Sequence, residues 1–156
     1  MLVRVAALLV GLLVAGCSSP SPPKVTVHSS EFVSSSAKEL VVRVHLSMVN
    51  VNSYAMTLQS VKAKVTVAGH QVTEVLVPYT ISLPPSKEVP VDTDLVIPKP
   101  VVQQLRDQAA HAASVPYKVE GSVIVGASGV HVTVPFENTG SVTREVLIQR
   151  LRSIPP

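Results

Sequence analysis

Few side chains in this sequence can do chemistry. There is one thiol, Cys17, and there are five imidazoles, at positions 28, 45, 70, 111 and 131. No two histidines stand four residues apart and none is spaced with the cysteine as a zinc ligand would be. His45 and His131 fall on the wet faces of alternating strands, where an imidazole is a solvated side chain. Asp92 and Asp94 share one strand face. They could hold a cation, but a solvated pair that keeps a strand edge from pairing with another chain is the better reading. Gly126-Ala127-Ser128-Gly129 is not the Gly-x-Ser-x-Gly of a nucleophile elbow and reads as a hairpin turn. Asn50 and Asn52 could touch a ligand, yet asparagines at a strand break bond their own backbone. No phosphate loop, catalytic carboxylate pair or Cys-His pair is visible, so the chain is expected to be no enzyme and to carry no cofactor or metal.

The thiol has the most informative surroundings. Arg4 precedes a continuous apolar run from Val5 to Leu13, and Val14-Ala15-Gly16 leads into Cys17 with small residues. The run is short for a spanning helix, which needs about 20 residues. The segment resembles the lipobox of bacterial lipoproteins. That resemblance implies a signal peptide over 1–16, cleavage after Gly16, and a diacylglyceryl group on Cys17 whose new amine is acylated in turn. The alternatives are an uncleaved membrane helix or an ordinary signal peptide. With more than one acyl chain the anchoring would be stable. Ser18 after the cysteine implies export to the outer membrane in a Gram-negative source, so the domain is expected on a lipid anchor facing the periplasm. Residues 17–23 form a Ser/Pro-rich linker, 24–151 the domain and 152–156 a tail. A lone cysteine rules out an intrachain disulfide, so the fold must stand on its core.

The chain has 156 residues, enough for one domain, with 46% hydrophobic and 3% aromatic content. Removal of residues 1–16 takes away Arg4 alone, leaving 12 basic against 10 acidic residues. Apart from Arg150 and Arg152 no basic cluster appears, which argues against nucleic acid. Valine supplies much of the apolar content and favours strands, while 13 prolines disfavour long helices.

The scaffold that must position these residues is clearest from Leu40 to Val77. Leu40, Val42, Val44, Leu46 and Met48 alternate with Arg43, His45 and Ser47, which predicts a strand with one dry face. Asn50 to Tyr54 interrupts it. A strand over 55–67 follows, with a turn at Ala68-Gly69-His70 and a partner over 71–77. Lys24 to His28 reads as a short first strand and Ser29 to Lys38 as a loop. Val89, Val91, Leu95 and Ile97 mark another strand, which Pro90 demotes toward an edge. Lys99 to Ala113 reads as the single helix, with Val101, Leu105, Ala109 and Ala112 on one face. Tyr117 to Val125 and Val130 to Phe136 alternate as a hairpin. Residues 142–151 could be strand or helix, and strand is favoured. The sum is a mainly β antiparallel sandwich of about seven strands with one helix.

In order along the chain stand Asn50-Val51-Asn52, a hairpin centred on Gly69, a proline-broken loop before an acidic strand, Tyr117-Lys118-Val119-Glu120-Gly121, and Val134-Pro135-Phe136-Glu137-Asn138-Thr139-Gly140. This series resembles the late-embryogenesis-abundant group 2 family, also called the water-stress and hypersensitive-response domain. Val51 departs from the family's Asn-Pro-Asn and lacks proline's fixed φ. The resemblance implies an immunoglobulin- or fibronectin-like sandwich and a protective or interaction role under desiccation. It also implies structural roles for Asn50, Asn52, Gly69, Tyr117, Gly121, Pro135, Phe136 and Gly140, and brings no catalytic residue. Three functions stay open: non-catalytic stress protection by contact with client proteins, a carrier of a lipid or other apolar ligand, and a subunit of an envelope assembly.

Overall fold

The computed structural model describes residues 19–36 and 39–152. The expected signal segment 1–16, Cys17, Ser18 and the last four residues of the expected tail lie outside them. The elements run β1 (Lys24–Ser36), β2 (Glu39–Val49), β3 (Met56–Val67), β4 (His70–Leu83), β5 (Glu88–Ile97), α1 (Lys99–His111), β6 (Ser114–Ala127), β7 (Val130–Thr143) and α2 (Arg144–Arg152). The strands form two antiparallel sheets, ordered β1-β2-β5 and β4-β3-β6-β7, packed face to face as a β-sandwich.

Alternation decides which side chains enter the core. On β2, Leu40, Val42, Val44, Leu46 and Met48 are buried, and on β3 and β6 the same holds for Val61, Ala63, Val65, Val67, Val119, Val123 and Val125. β5 contributes Val91, Leu95 and Ile97, with Thr93 buried at the inward position between them. The hairpins close as the turn chemistry demands. Ala68 (φ 48°) and Gly69 (φ 80°), like Ser128 (φ 49°) and Gly129 (φ 79°), adopt the two positive φ values of a type I′ turn.

Three expectations need correction. β1 does not end at His28; it continues to Ser36 beside β2, and Phe32 enters the core. A register shift between Val27 and Ser29 moves the inward side from odd to even positions, which hides the strand from a fixed two-residue period. Secondly, the segment after 142 is not a strand beyond Thr143. It turns into a second helix, α2, which buries Leu147 and Leu151 one turn apart. Glu145 in its first turn and Arg150 and Arg152 in its last complement the helix dipole. Thirdly, the buried face of α1 is Val102, Leu105 and Ala109, with Val101 and Ala112 only part-buried beside it. The Arg106 guanidinium donates to Leu151 O at 2.9 Å and joins the two helices.

The two ends of the sandwich differ. Both helices lie at the end where β5, β7 and the β3–β4 turn meet. The opposite end carries the start of β1, the β2–β3 loop, the β4–β5 turn and the β6–β7 turn, as the pairings Lys24 with Val49, Met56 with Leu83 and Thr57 with Gly126 require. No described helix covers that end.

Candidate functional site

Asn50 and Asn52 build the corner at this helix-free end. Asn50 is wholly buried, and its amide donates to Tyr54 O (2.7 Å) and Leu83 O (2.8 Å). Its Oδ1 accepts from the Asn52 backbone N–H and from the Asn52 amide, both at 3.0 Å. The backbone of Asn50 also accepts from Ser86 N at 2.8 Å. Through its side chain and its carbonyl, Asn50 therefore holds the β2–β3 loop, the end of β4 and the following turn in a fixed relation. Asn52 is half-buried beside it. Its Oδ1 accepts from Ser21 N (2.9 Å) and its Nδ2 donates to Ser21 O (2.8 Å), so the amide pairs with the linker backbone as a strand neighbour would. The Ser/Pro segment is thereby fixed to the domain at Ser21. Asn50 and Asn52 together are an internal brace plus a clamp on the incoming chain.

Tyr117, Gly121, Phe136 and Gly140 come together as two reciprocal cross-strand pairs. Tyr117 stands opposite Gly140 and Gly121 opposite Phe136. A Cβ on Gly140 would lie 2.7 Å from the Tyr117 ring, and one on Gly121 would lie 2.9 Å from the Phe136 ring. Each aromatic ring thus covers a glycine on the neighbouring strand, a contact that a side chain there would block. Tyr117 then reaches across to the other sheet. Its hydroxyl donates to Ser30 O at 2.8 Å, and its ring meets Phe32 edge-on at 5.6 Å. Asn138 Nδ2 donates to Ser30 Oγ at 3.3 Å along the same side. The far side is closed in the same manner: Tyr79 OH donates to Asp92 O at 2.9 Å beside Thr93 Oγ1, and Thr73 Oγ1 donates to Val96 O at 2.8 Å. Pro135 is exposed on edge strand β7, where its missing N–H costs no ladder bond. Gly69 stays in the remote β3–β4 turn.

The wet faces carry ordered charge. On β2 and β5, Arg43 donates twice to Asp94, 2.7 Å to each oxygen, and His45 Nδ1 lies 2.8 Å from Asp92. His45 Nε2 faces Glu31 at 3.4 Å. Hydrogen bonding to Asp92, then to Glu31, raises the His45 pKa against the cost of burial. The Arg43 guanidinium holds the Asp94 carboxyl below its ordinary range. Glu31 and Asp92 sit on opposite ring nitrogens of His45, so the three groups do not converge on an ion. Among the described residues no group of three His, Cys, Asp or Glu is placed to hold a metal.

The sequence carries a signal for the partners of Asp92 and Asp94 that alternation alone does not reveal. Arg43 and His45 repeat the two-residue spacing of Asp92 and Asp94 with opposite charge, as neighbouring strands would need.

On the other sheet Lys62 pairs with Glu74 (3.0 Å), and Lys64, Glu120, Lys118 and Glu137 form a chain of ion pairs, with 2.9 Å between Lys118 and Glu137. All of them except Lys118 line an open trough of about 670 Å³, together with Ala63, Gly121 and Phe136. Hydrogen bonds from Lys118 and then Lys64 depress the Glu120 pKa from 4.5 to about 2. Its contribution is in place above pH 4.5 and is lost as pH falls through about 2. Acid titration of the melting temperature should therefore show a shallower fall between those values for Glu120→Gln than for the parent. Identical slopes would remove Glu120 from the ladder's energetics.

The late embryogenesis abundant protein model (LEA_2) matches residues 45–140. Among solved structures, the solution structure of an Arabidopsis thaliana protein shares 14% identity and a TM-score of 0.68, covering 85% of this chain and 89% of its own. A crystal structure from Archaeoglobus fulgidus shares 8% identity and a TM-score of 0.62, covering 76% and 97%. The solution structure of a late embryogenesis abundant (LEA) protein shares 15% identity and a TM-score of 0.63, covering 80% and 75%. At such identities these likenesses speak to fold alone. No curated protein matches the chain.

Proposed function

Since this chain belongs to the LEA_2 family of late embryogenesis abundant proteins, we propose that it is a lipid-anchored, non-catalytic domain of the cell envelope that protects other proteins when water is withdrawn. The anchor is the acylated Cys17, and Ser18 directs the protein to the outer membrane, facing the periplasm. The observation that carries the protective reading is how the interior polar groups are satisfied. Asn50, Thr73, Tyr79, Thr93 and Tyr117 all bond to protein atoms, and Gln108 Oε1 is the one buried side-chain polar atom without a partner among the described residues. A fold that relies on its own donors and acceptors keeps them when bulk water leaves. Its charged sheet faces then remain ordered surfaces on which a dehydrating client can rest.

Two experiments address the two halves. Cys17→Ser should abolish incorporation of labelled palmitate in growing cells; label retained in that variant would refute the anchor. For the protective half, an aggregation-prone enzyme is dried with and without the purified domain and then rehydrated. More recovered activity with the domain than with an equal mass of an unrelated β-protein is expected, and equal recovery would count against protection.

The carrier alternative has its support in the outer trough, whose volume is in the range of small-ligand sites. Its rim is charged, which suits a small polar solute better than an apolar chain.

A further inference from the structure

The geometry points to the helix-free end of the sandwich as a surface that rests on a phospholipid bilayer through Val51, Tyr54 and Val130. The inference builds on the tether reading above. Six large hydrophobic side chains are exposed among the described residues, and these three, at 56%, 40% and 46%, come from two separate loops at the same end. Leu76, Val96 and Val146 lie elsewhere, on the outer sheet faces and α2. Strand register places all three at this end. Val51 and Tyr54 flank Asn52 in the β2–β3 loop. Val130 closes the β6–β7 turn one pair beyond Gly126, which stands opposite Thr57 at the start of β3.

What such a surface meets follows from where the chain enters. Asn52 grips Ser21 through two hydrogen bonds, so the linker reaches the domain between the two exposed side chains of this loop. Three residues separate Cys17 from Ser21, so the four steps between their Cα atoms span at most about 14 Å when fully extended. A lipid on Cys17 therefore holds this end, and not the helical end, against the membrane. Tyrosine suits the headgroup layer, with its ring in the apolar part and its hydroxyl in water. Lys24 and Lys87 are exposed at the same end, one opening β1 and the other in the β4–β5 turn, where they can meet lipid phosphates. Contacts too weak to bind free protein suffice, because the tether supplies the local concentration. The buried Asn50 brace keeps the loop rigid enough to present both side chains at once.

The test uses two features of the sequence: it has no tryptophan and a single cysteine. The chain from Cys17 to Pro156 is coupled through Cys17 to a maleimide-bearing phospholipid in phosphatidylcholine–phosphatidylglycerol vesicles. Coupling by chemistry makes the result independent of whether cells acylate Cys17, so failure of the anchor and failure of this surface are read separately. Val51→Trp and His70→Trp each provide one fluorophore, at exposed positions on opposite ends. Phospholipids brominated on the acyl chain should quench the Val51→Trp probe roughly two-fold, as for an interfacial tryptophan, and leave the His70→Trp probe unchanged. Equal quenching of both probes, or quenching of neither, would overturn the proposal.

Discussion

Gly121→Val is expected to destabilise the domain severely. A Cβ at this position would stand 2.1 Å from Lys62 O and 2.9 Å from both Ala63 Cα and the Phe136 ring. The first two are backbone atoms of β3, paired with β6 in the middle of the four-stranded sheet, and they cannot swing aside as a side chain can. Relief requires the β3–β6 ladder to part locally and the Phe136 ring to leave its place over the glycine. Overpacking a core usually costs about 1–3 kcal/mol. Lost ladder bonds and an exposed aromatic ring bring the expected total to about 4 kcal/mol or more, a large share of a typical domain's stability. In a domain of this size that corresponds to a melting temperature lower by roughly 10 °C or more. Gly129→Ala is the control. Its φ is 79° but nothing lies within 4 Å of the added Cβ, so the cost should be only about 1 kcal/mol of left-handed strain. Thermal melts followed by circular dichroism decide the matter. A Gly121→Val variant as stable as Gly129→Ala would mean that the close approach of β3 and β6 is not required.

The second large effect is expected from Asn50→Asp. The exchange keeps the acceptor for Asn52 but removes the amide that donates to Tyr54 O and Leu83 O. It also puts a carboxylate where the parent residue has no solvent exposure. Two carbonyls without their donor and an unpaired buried charge together cost about 3–5 kcal/mol. Burial and the facing carbonyls favour the neutral acid, so the aspartate should titrate above its ordinary value of about 3.9. The penalty then grows as pH rises above that value and is smaller in acid, where the protonated group can donate one bond. Denaturant midpoints at pH 4 and pH 7 should show Asn50→Asp closer to the parent at pH 4. Asn50→Ala should show a deficit that does not change in this way. An Asn50→Asp variant with the parent's midpoint at pH 7 would show that the corner does not depend on the amide donor.

How much of this was legible in the sequence differs by element. The alternation of β2, β3 and β6 and the two Gly-bearing turns is plain in the sequence, because one buried face and a positive φ leave unambiguous residue patterns. The length of β1 is hidden because the irregularity after Val27 reverses the inward side, and its serines resemble a loop until β2 is placed beside them. α2 is ambiguous because nine residues offer only about two and a half turns of periodicity, although Leu147 and Leu151 four apart and the ordered charges point to a helix. The pairing of Tyr117 with Gly140 and of Gly121 with Phe136 was available in principle. Both pairs are symmetric about the Ser128-Gly129 turn, so fixing that turn fixes them. The Asn52 clamp on Ser21 is not available there, since nothing local says which distant backbone a half-buried amide will meet. The trough belongs with it, being formed by side chains from four strands whose order the sequence does not state.

The most direct measurement of the central claim, that the domain keeps its polar interior satisfied without bulk water, is the infrared amide I spectrum of the purified domain in solution, as a dried film and after rehydration. The β-sheet band should keep its position and width through all three states. A film band that moves to the low frequency of intermolecular cross-β, or broadens toward irregular structure, would contradict it.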